Sequence, residues 1–532
     1  MRTRPFTTSF IALTLVLPGA LSAQAQPVAV RNHSPAPSST PNYDAEALRI
    51  MKGVDATGFT GAVSIDGKIV YSGAHGLLEY GKPGKVTSKT LFPIASITKA
   101  FTTTGLAMLV DEGKLSWDDP VRKYIPEFAM YDPWVSEHFT VKDALTHRSG
   151  LPLGAGDLTI WPDGNATPED VIHALKYLRP STGFRDGYAY DNLLYIVAGQ
   201  ILERASGQSW TDFVTTRILK PVGMNDCAAD KSLIRPGQSY VSGHERAAGD
   251  THGTPIDPRM AFSKTWNSAG GIWCTADDMM KWGQFWLNDG VTADGKRLIS
   301  DKQKNMLWRG VTPTGSGIIP ASGGATNLQM YALGWQLSQL DGTPVVSHSG
   351  GAPGVTSNFI ILPQKKILIF ASSNDYLSTP GAWTRQIAAD LVEGNKAPDI
   401  IGKAIAAYDK ENADARAAVD KAISPPKDAT KPSLPLDAYT GTYRDPWYGT
   451  VTISKRGSGL YIDMSRSQLL DGPLTPFNGN TFAAIWPNRT IKADAFVTFK
   501  VKDGKAVGIR MKAISDITDF SYDFHDLDLK RE

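Results

Sequence analysis

The sequence predicts an α+β domain followed by a separate, smaller all-β domain. Three observations predict it. Strand signals come first, a long series of helical segments follows, and strand signals return before residue 395. The composition then changes: Ala404 to Ala422 is charged, Ala-rich and helix-prone, and Ser424 to Pro435 carries several prolines. From Leu436 onward the pattern is all β. A chain of 532 residues is also longer than one ordinary domain.

Taken in order, residues 1–25 read as a secretory signal peptide. Arg2 and Arg4 form a basic start, Phe10 to Leu17 an apolar core, and Ala23-Gln24-Ala25 a small-x-small cleavage site. Pro18 and Gly19 end the apolar run far short of the ~20 residues a membrane anchor needs. A periplasmic or secreted protein, cut near Ala25 and without an integral membrane anchor, is expected. Residues 26–42 are rich in Pro, Ser and Asn and read as a flexible linker. Tyr43 to Val54 is helix-like. Gly61 to Gly73 alternates apolar and polar residues around Asp66-Gly67, a hairpin signal. Phe101 to Glu112 has helical spacing and stops at Gly113.

Further helices are expected at Val141 to Thr146, Asn192 to Ser206, Trp210 to Leu219, Thr275 to Asn288 and Trp383 to Glu393. Gly315 to Thr326 is a Gly/Ser-rich loop, long for a compact domain. Strands are expected at Thr343 to Ser347, and at Ser357 to Leu362 pairing with Ile367 to Ser372. In the C-terminal region they are expected at Gly449 to Ser454, Leu460 to Met464, and Val497 to Lys502 turning at Asp503-Gly504 into Val507 to Met511. This divides the chain into a main domain over 43–395, a helical and Pro-rich linker over 396–435, and a small barrel or curved sheet over 436–532.

The net charge of +2 gives no reason to expect nucleic acid or another strongly anionic partner. Cys227 and Cys274 are the two cysteines; they form one disulfide or remain two buried thiols, and spacing does not decide. No H-E-x-x-H or Cys/His cluster occurs, so no metal or other cofactor is expected, and no G-x-S-x-G elbow argues for an α/β-hydrolase.

The chemistry is carried by Ser96 and Lys99, three residues apart in Pro93-Ile94-Ala95-Ser96-Ile97-Thr98-Lys99. On a helical face the amine lies beside the hydroxyl and helps take its proton. Ser424-Pro425-Pro426-Lys427 repeats the spacing, but its prolines forbid a regular helix. Two further groups can face the same cleft. Tyr190-Asp191-Asn192 precedes a helix, with a phenol that can relay a proton and an amide that can hold a carbonyl. His348-Ser349-Gly350-Gly351 follows a strand signal, with small residues that let substrate lie along a strand edge and a backbone N–H for an oxyanion hole. His147 reads as structural, and Asp277-Asp278 as a helix cap.

Ser-x-x-Lys, Tyr-x-Asn and His-x-Gly in this order resemble the serine β-lactamase and penicillin-binding-protein superfamily. The Tyr-x-Asn form is similar to the branch of class C β-lactamases, DD-peptidases, D-amino-acid peptidases and related esterases. Leu145 to Leu151, Pro221-Val222-Gly223-Met224 and Ala269-Gly270-Gly271-Ile272 add to the resemblance, which covers about residues 43 to 395. It implies the β-lactamase-like transpeptidase fold: an antiparallel sheet flanked by helices, plus an all-helical region. The C-terminal part resembles the lipocalin-like domain of some exported members. The resemblance further implies that Ser96 is acylated, and that Lys99 and Tyr190 share base and acid work; a free tyrosine has a pKa near 10, so using it as a base requires nearby cations such as Lys99 to lower that value. Asn192 would contact the substrate amide. His348 would stand for the usual lysine, facing a carboxylate or hydrogen-bonding. The N–H groups of Ser96 and Gly351 would form the oxyanion hole beside Ser349 and Gly350. The expected activity is a peptidase or amidase of carboxypeptidase-like type acting on short or unusual peptides, with an esterase and a β-lactamase as alternatives. A catalytically silent binding protein is the non-enzyme alternative. A homo-oligomer is compatible with all of these.

Overall fold

The computed structural model describes residues 41–532 apart from 163, 261–262, 316–318, 322–323, 327 and 517. The signal-peptide reading lies outside the described residues, as does the linker up to residue 40. The main sheet has eight antiparallel strands: β1 (Gly58–Ile65), β2 (Lys68–Gly76), β3 (Thr312–Pro313), β4 (Met330–Tyr331), β5 (Gln336–Leu340), β6 (Thr343–Ala352), β7 (Val355–Leu362) and β8 (Ile367–Ser373). They lie in the order β2-β1-β8-β7-β6-β5-β4-β3. The hairpin turns at Asp66 and Gly67, both at positive φ, which suits a two-residue turn that follows the strand twist.

The central strands are covered on both faces, and side chains of period two go alternately to each. Phe359, Ile361, Leu368 and Phe370 face one core; Ile360, Leu362, Ile367 and Ile369 face the other. That is why Ile367 to Ala371 reads as an unbroken apolar run. The first core is filled by α2 (Thr98–Asp111), α3 (Leu193–Ser206) and α4 (Ala276–Leu287), whose Thr275 side chain caps it by accepting from Asp278 N–H. The second is closed by α1 (Tyr43–Val54), α5 (Thr379–Glu393) and α6 (Ile400–Ile423). The expected main-domain fold is therefore present.

Some local expectations change. Val141 to Thr146 holds only a 3-10 turn, Asp143–Leu145, because Asp143 is drawn to Arg148 at 2.9 Å and to Arg185 at 2.6 Å instead of continuing a helix. The helix from Trp210 becomes π-helical over Val214–Leu219. Within 315–326, Ile319–Ala321 pairs with Gly324–Thr326 in a small hairpin. Cys227 and Cys274 are joined as a disulfide.

The C-terminal region is a closed eight-stranded barrel: β9 (Gly441–Asp445), β10 (Gly449–Arg456), β11 (Gly459–Met464), β12 (Asp471–Asn478), β13 (Thr481–Ala484), β14 (Ala495–Lys502), β15 (Lys505–Ala513) and β16 (Leu529–Arg531). It closes where β9 pairs with β16. Tyr443, Ile462, Phe482, Val497 and Ile509 are fully buried within it. The barrel docks on the main domain through Arg466, which reaches Asp170 at 3.0 Å, and Lys492, which reaches Glu245 at 3.3 Å. Between β15 and β16 the chain leaves the barrel and lies against the turn around Asp157. Among the described residues no helix is long and apolar enough to cross a membrane.

Candidate active site

Ser96 sits in a 3-10 turn, Ala95–Ile97, that leads straight into α2. The turn is anchored from behind: Phe92 and Pro93 pair with Cys274 and Trp273, and Ile94 N–H donates to Ile272 O at 2.9 Å. Ala95 holds φ at +46°, a conformation that costs a non-glycine residue on the order of 1 kcal/mol or more. In a 3-10 turn residues i and i+3 eclipse each other. Lys99 is thus brought over Ser96, with Nζ 3.1 Å from Oγ.

Lys99 is fully buried. Its Nζ also reaches Asn192 Oδ1 at 2.8 Å and the Ala269 carbonyl oxygen at 3.0 Å, and it stands 4.8 Å from the Tyr190 ring centre. Burial lowers its pKa from the usual lysine range to about 7, against the opposing pull of Asp157 and Asp191. A neutral amine has two N–H bonds and one lone pair. Asn192 Oδ1 and Ala269 O are acceptors and take the two N–H bonds, so the lone pair faces Ser96 Oγ.

Tyr190 is brought next to this group by the extended stretch before α3, but its behaviour differs from expectation. Burial raises its pKa well above 10; the neighbouring Ser96 hydroxyl pulls the other way and does not prevail. Tyr190 keeps its proton, and its buried hydroxyl has no hydrogen bond of ordinary length. His147 lies against the Tyr190 ring, tilted by 35° with ring centres 4.2 Å apart, and accepts Asp191 N–H at Nδ1.

His348 lies on β6 and is buried. Its Nδ1 lies 2.6 Å from the Ser349 carbonyl oxygen, and its Nε2 lies 3.0 Å from the Tyr331 hydroxyl. Nδ1 donates and Nε2 accepts, which is one neutral tautomer. Burial, then Lys99, lowers its pKa to about 3. Both ring nitrogens are used by the protein. Ser349, Gly350 and Gly351 continue β6 past the nucleophile's turn, paired with Asn358, Ser357 and Thr356 of β7. Ser357 donates to Ile94 O at 2.8 Å, and a Cβ on Gly350 would overlap that same oxygen. Glycine at this place lets the strand and the turn touch.

The cleft in front of Ser96 measures about 380 Å³. All eight residues expected from the sequence are in or beside it: Ser96, Tyr190, Asn192, His348, Ser349, Gly350 and Gly351 on its wall, and Lys99 directly beneath. Sequence reasoning missed three groups. Trp161 and Trp266 form an aromatic side, 6.2 Å apart and edge to face. Asp519, Phe520 and Ser521 come from the segment that leaves the barrel. Asp157, behind the cleft, accepts Asn192 Nδ2–H at 2.8 Å and the Ser521 hydroxyl at 3.0 Å, both at Oδ2. Asp157 had no motif to mark it. Among the described lining residues the one formal charge is Asp519, whose Oδ2 accepts the Tyr376 hydroxyl at 2.9 Å.

Comparison with known proteins places the fold. The chain is 28% identical over 432 residues to the unguisins hydrolase ungD' of Aspergillus campestris, covering 76% of each. The octameric penicillin-binding protein homologue from Pyrococcus abyssi has the same fold, with TM-score 0.56 and 21% identity over 88% of this chain and 97% of that one. The D-amino acid amidase from Ochrobactrum anthropi SV3 superposes with TM-score 0.54 and 21% identity, over 67% of this chain and 99% of that one. A domain of unknown function, DUF3471, matches residues 425–531. The Beta-lactamase family model matches residues 49–392, and the chain belongs to that family.

Proposed function

We propose that the protein is an exported serine hydrolase that cleaves amide bonds in short or unusual peptides through an acyl-enzyme on Ser96. The observation that carries the reading is Lys99 Nζ 3.1 Å from Ser96 Oγ with its other two polar contacts on acceptors, on a lysine whose pKa is brought to about 7, so that its neutral form turns its lone pair to Ser96. Lys99 takes the Ser96 proton as Oγ attacks the carbonyl carbon. The N–H groups of Ser96 and Gly351 receive the oxyanion. Tyr190, which keeps its proton, hands it to the leaving nitrogen and is resupplied from Lys99. Water then enters, gives a proton back along the same path, and releases the acid and Ser96. Asn192 positions the substrate amide, and His348 fixes the course of β6.

The wall of the cleft narrows the substrate. A free C-terminal carboxylate calls for a cation, and the described lining residues offer none; the charge they do offer is Asp519. The carboxypeptidase-like form of the activity therefore loses support, and so does a β-lactamase whose substrate bears a carboxylate. An uncharged or cationic peptide segment fits better, and a relative named as an unguisins hydrolase supports hydrolysis as the reaction class. The same uncharged cleft also fits an ester, which keeps the esterase as a second reading. The disulfide supports export to an oxidising compartment. The octameric relative makes a homo-oligomer worth measuring by light scattering.

The test is labelling of the full-length protein by a fluorophosphonate probe, which Ser96→Ala should abolish. Comparing kcat/KM for a blocked peptide amide, its free acid, a p-nitrophenyl ester and a chromogenic cephalosporin then ranks the substrate classes. Failure of the wild type to label and to hydrolyse any of them refutes the enzyme reading.

A further inference from the structure

The lone-pair argument depends on which way the Asn192 amide points. With Oδ1 toward Lys99, the neutral amine donates to Asn192 and keeps its lone pair for Ser96. With the amide reversed, Nδ2 would donate into that lone pair and Ser96 would lose its base. Something must therefore hold the amide the right way round. Asp157 Oδ2 does so by accepting Nδ2–H at 2.8 Å, since a carboxylate oxygen has no favourable contact with Oδ1.

Asp157 is itself held from the barrel. Its Oδ2 also accepts the hydroxyl of Ser521 at 3.0 Å. Asp523 takes the N–H groups on either side of it, Gly156 at 2.7 Å and Leu158 at 3.0 Å. Asp157, Ser521 and Asp523 are all nearly fully buried. We propose that Asp157 is a positioning residue that sets the Asn192 amide, and that the C-terminal barrel, through Ser521 and Asp523, is part of the catalytic apparatus and not an appendage. The line of contacts runs Ser521, Asp157, Asn192, Lys99, Ser96. Burial raises the Asp157 pKa to about 8; with the proton on Oδ1, Oδ2 is the carbonyl oxygen and still accepts from both Asn192 and Ser521.

This inference rests on Ser96 being the nucleophile, and Ser96→Ala tests that separately. In the full-length enzyme, Asp157→Ala should lower kcat on a p-nitrophenyl ester at least tenfold and leave KM within about threefold, since the amide is freed but the cleft wall stays. Asp157→Asn keeps an oxygen for Asn192 and should restore kcat to within about threefold of wild type. Ser521→Ala, a milder change, should lower kcat about threefold at unchanged KM. Thermal melts establish that each variant is folded at the assay temperature. If Ser96 is required and a folded Asp157→Ala keeps wild-type kcat, the proposal is wrong. Equal losses in Asp157→Ala and Asp157→Asn would also overturn it, because orientation would then not be what matters. Should Asp157→Ala not fold, an unchanged kcat in Ser521→Ala has the same force. If Ser96→Ala remains active, the acyl-enzyme reading falls instead.

Discussion

Gly350→Ala tests the contact between β6 and the nucleophile's turn. The backbone of Gly350 lies outside the left-handed region, so alanine is allowed there by conformation alone. Space is what forbids it. The added Cβ would overlap the Ile94 carbonyl oxygen and the Ser357 hydroxyl, and would lie 3.0 Å from Ala95 Cβ. Ordinary carbon contacts run about 3.5–4.0 Å, so strand and turn must separate by roughly 0.5–1 Å. The Ile94 oxygen cannot swing aside as a side chain would, because Ile94 is fixed between Ile272 and Ser357. The next residue on β6 is Gly351, whose N–H is assigned to the oxyanion, so the separation falls on the hole itself. Weakening one such donor, or misplacing it by ~1 Å, costs on the order of 10²-fold in rate, or ~3 kcal/mol. We expect kcat on a p-nitrophenyl ester to fall about 100-fold, with KM changed far less. The melting temperature should drop by only a few degrees, because the pairing of β6 with β7 survives. A folded Gly350→Ala enzyme with kcat within twofold of wild type would refute both the contact argument and the place given to Gly351.

Other outcomes follow from the same geometry. Because Lys99 acts as its neutral amine, kcat/KM should rise with pH through about 7 and level off above it; a limb near the ordinary lysine value would remove Lys99 as the base. The same shift affects stability. A lysine whose folded pKa is depressed costs stability below about 7, where it must be charged while buried, and the cost fades as pH rises toward its unfolded value. Lys99→Met should therefore melt higher than wild type at pH 6 while losing activity. Replacing Cys227 and Cys274 by serine opens a loop with a sequence separation of 47 and should cost about 4 kcal/mol, read by urea unfolding. Asp519→Lys reverses the sign of the cleft wall and should improve kcat/KM for a peptide with a free carboxylate, relative to its amide, by about tenfold; an unchanged ratio would detach Asp519 from substrate choice.

What was legible in the sequence depended on how local its cause is. The motifs at Tyr190 and His348 singled out the Ser96–Lys99 spacing from its repeat at Ser424 and Lys427, and a local cause joins the pair: the 3-10 turn runs straight into α2 and sets Lys99 over Ser96. The strain at Ala95 was not legible, since it is imposed by Ile272 and Ser357 from other parts of the fold. Strand β12 escaped notice because Pro473 and Pro476 stand inside it, and proline ordinarily argues against a strand. The condition for Tyr190 to act as a base, a pKa lowered by nearby cations, is not met: desolvation raises it, Tyr188, Tyr195 and Asp157 add to the rise, and the Ser96 hydroxyl alone opposes it. Asp157 and Ser521 carried no signal at all. Each is an ordinary loop residue until the chain brings them together.

That last contact has a consequence in time. Ser521 follows Asp157 by 364 residues. At 5–20 residues per second, a ribosome needs roughly 20–70 s to travel between them. During that interval the nucleophile, its lysine and its asparagine are already made, but the groups that seat Asp157 do not yet exist. On the roles proposed above, a chain made only as far as the main domain lacks Ser521 and Asp523, so full activity waits until that segment is made and docks on the turn around Asp157.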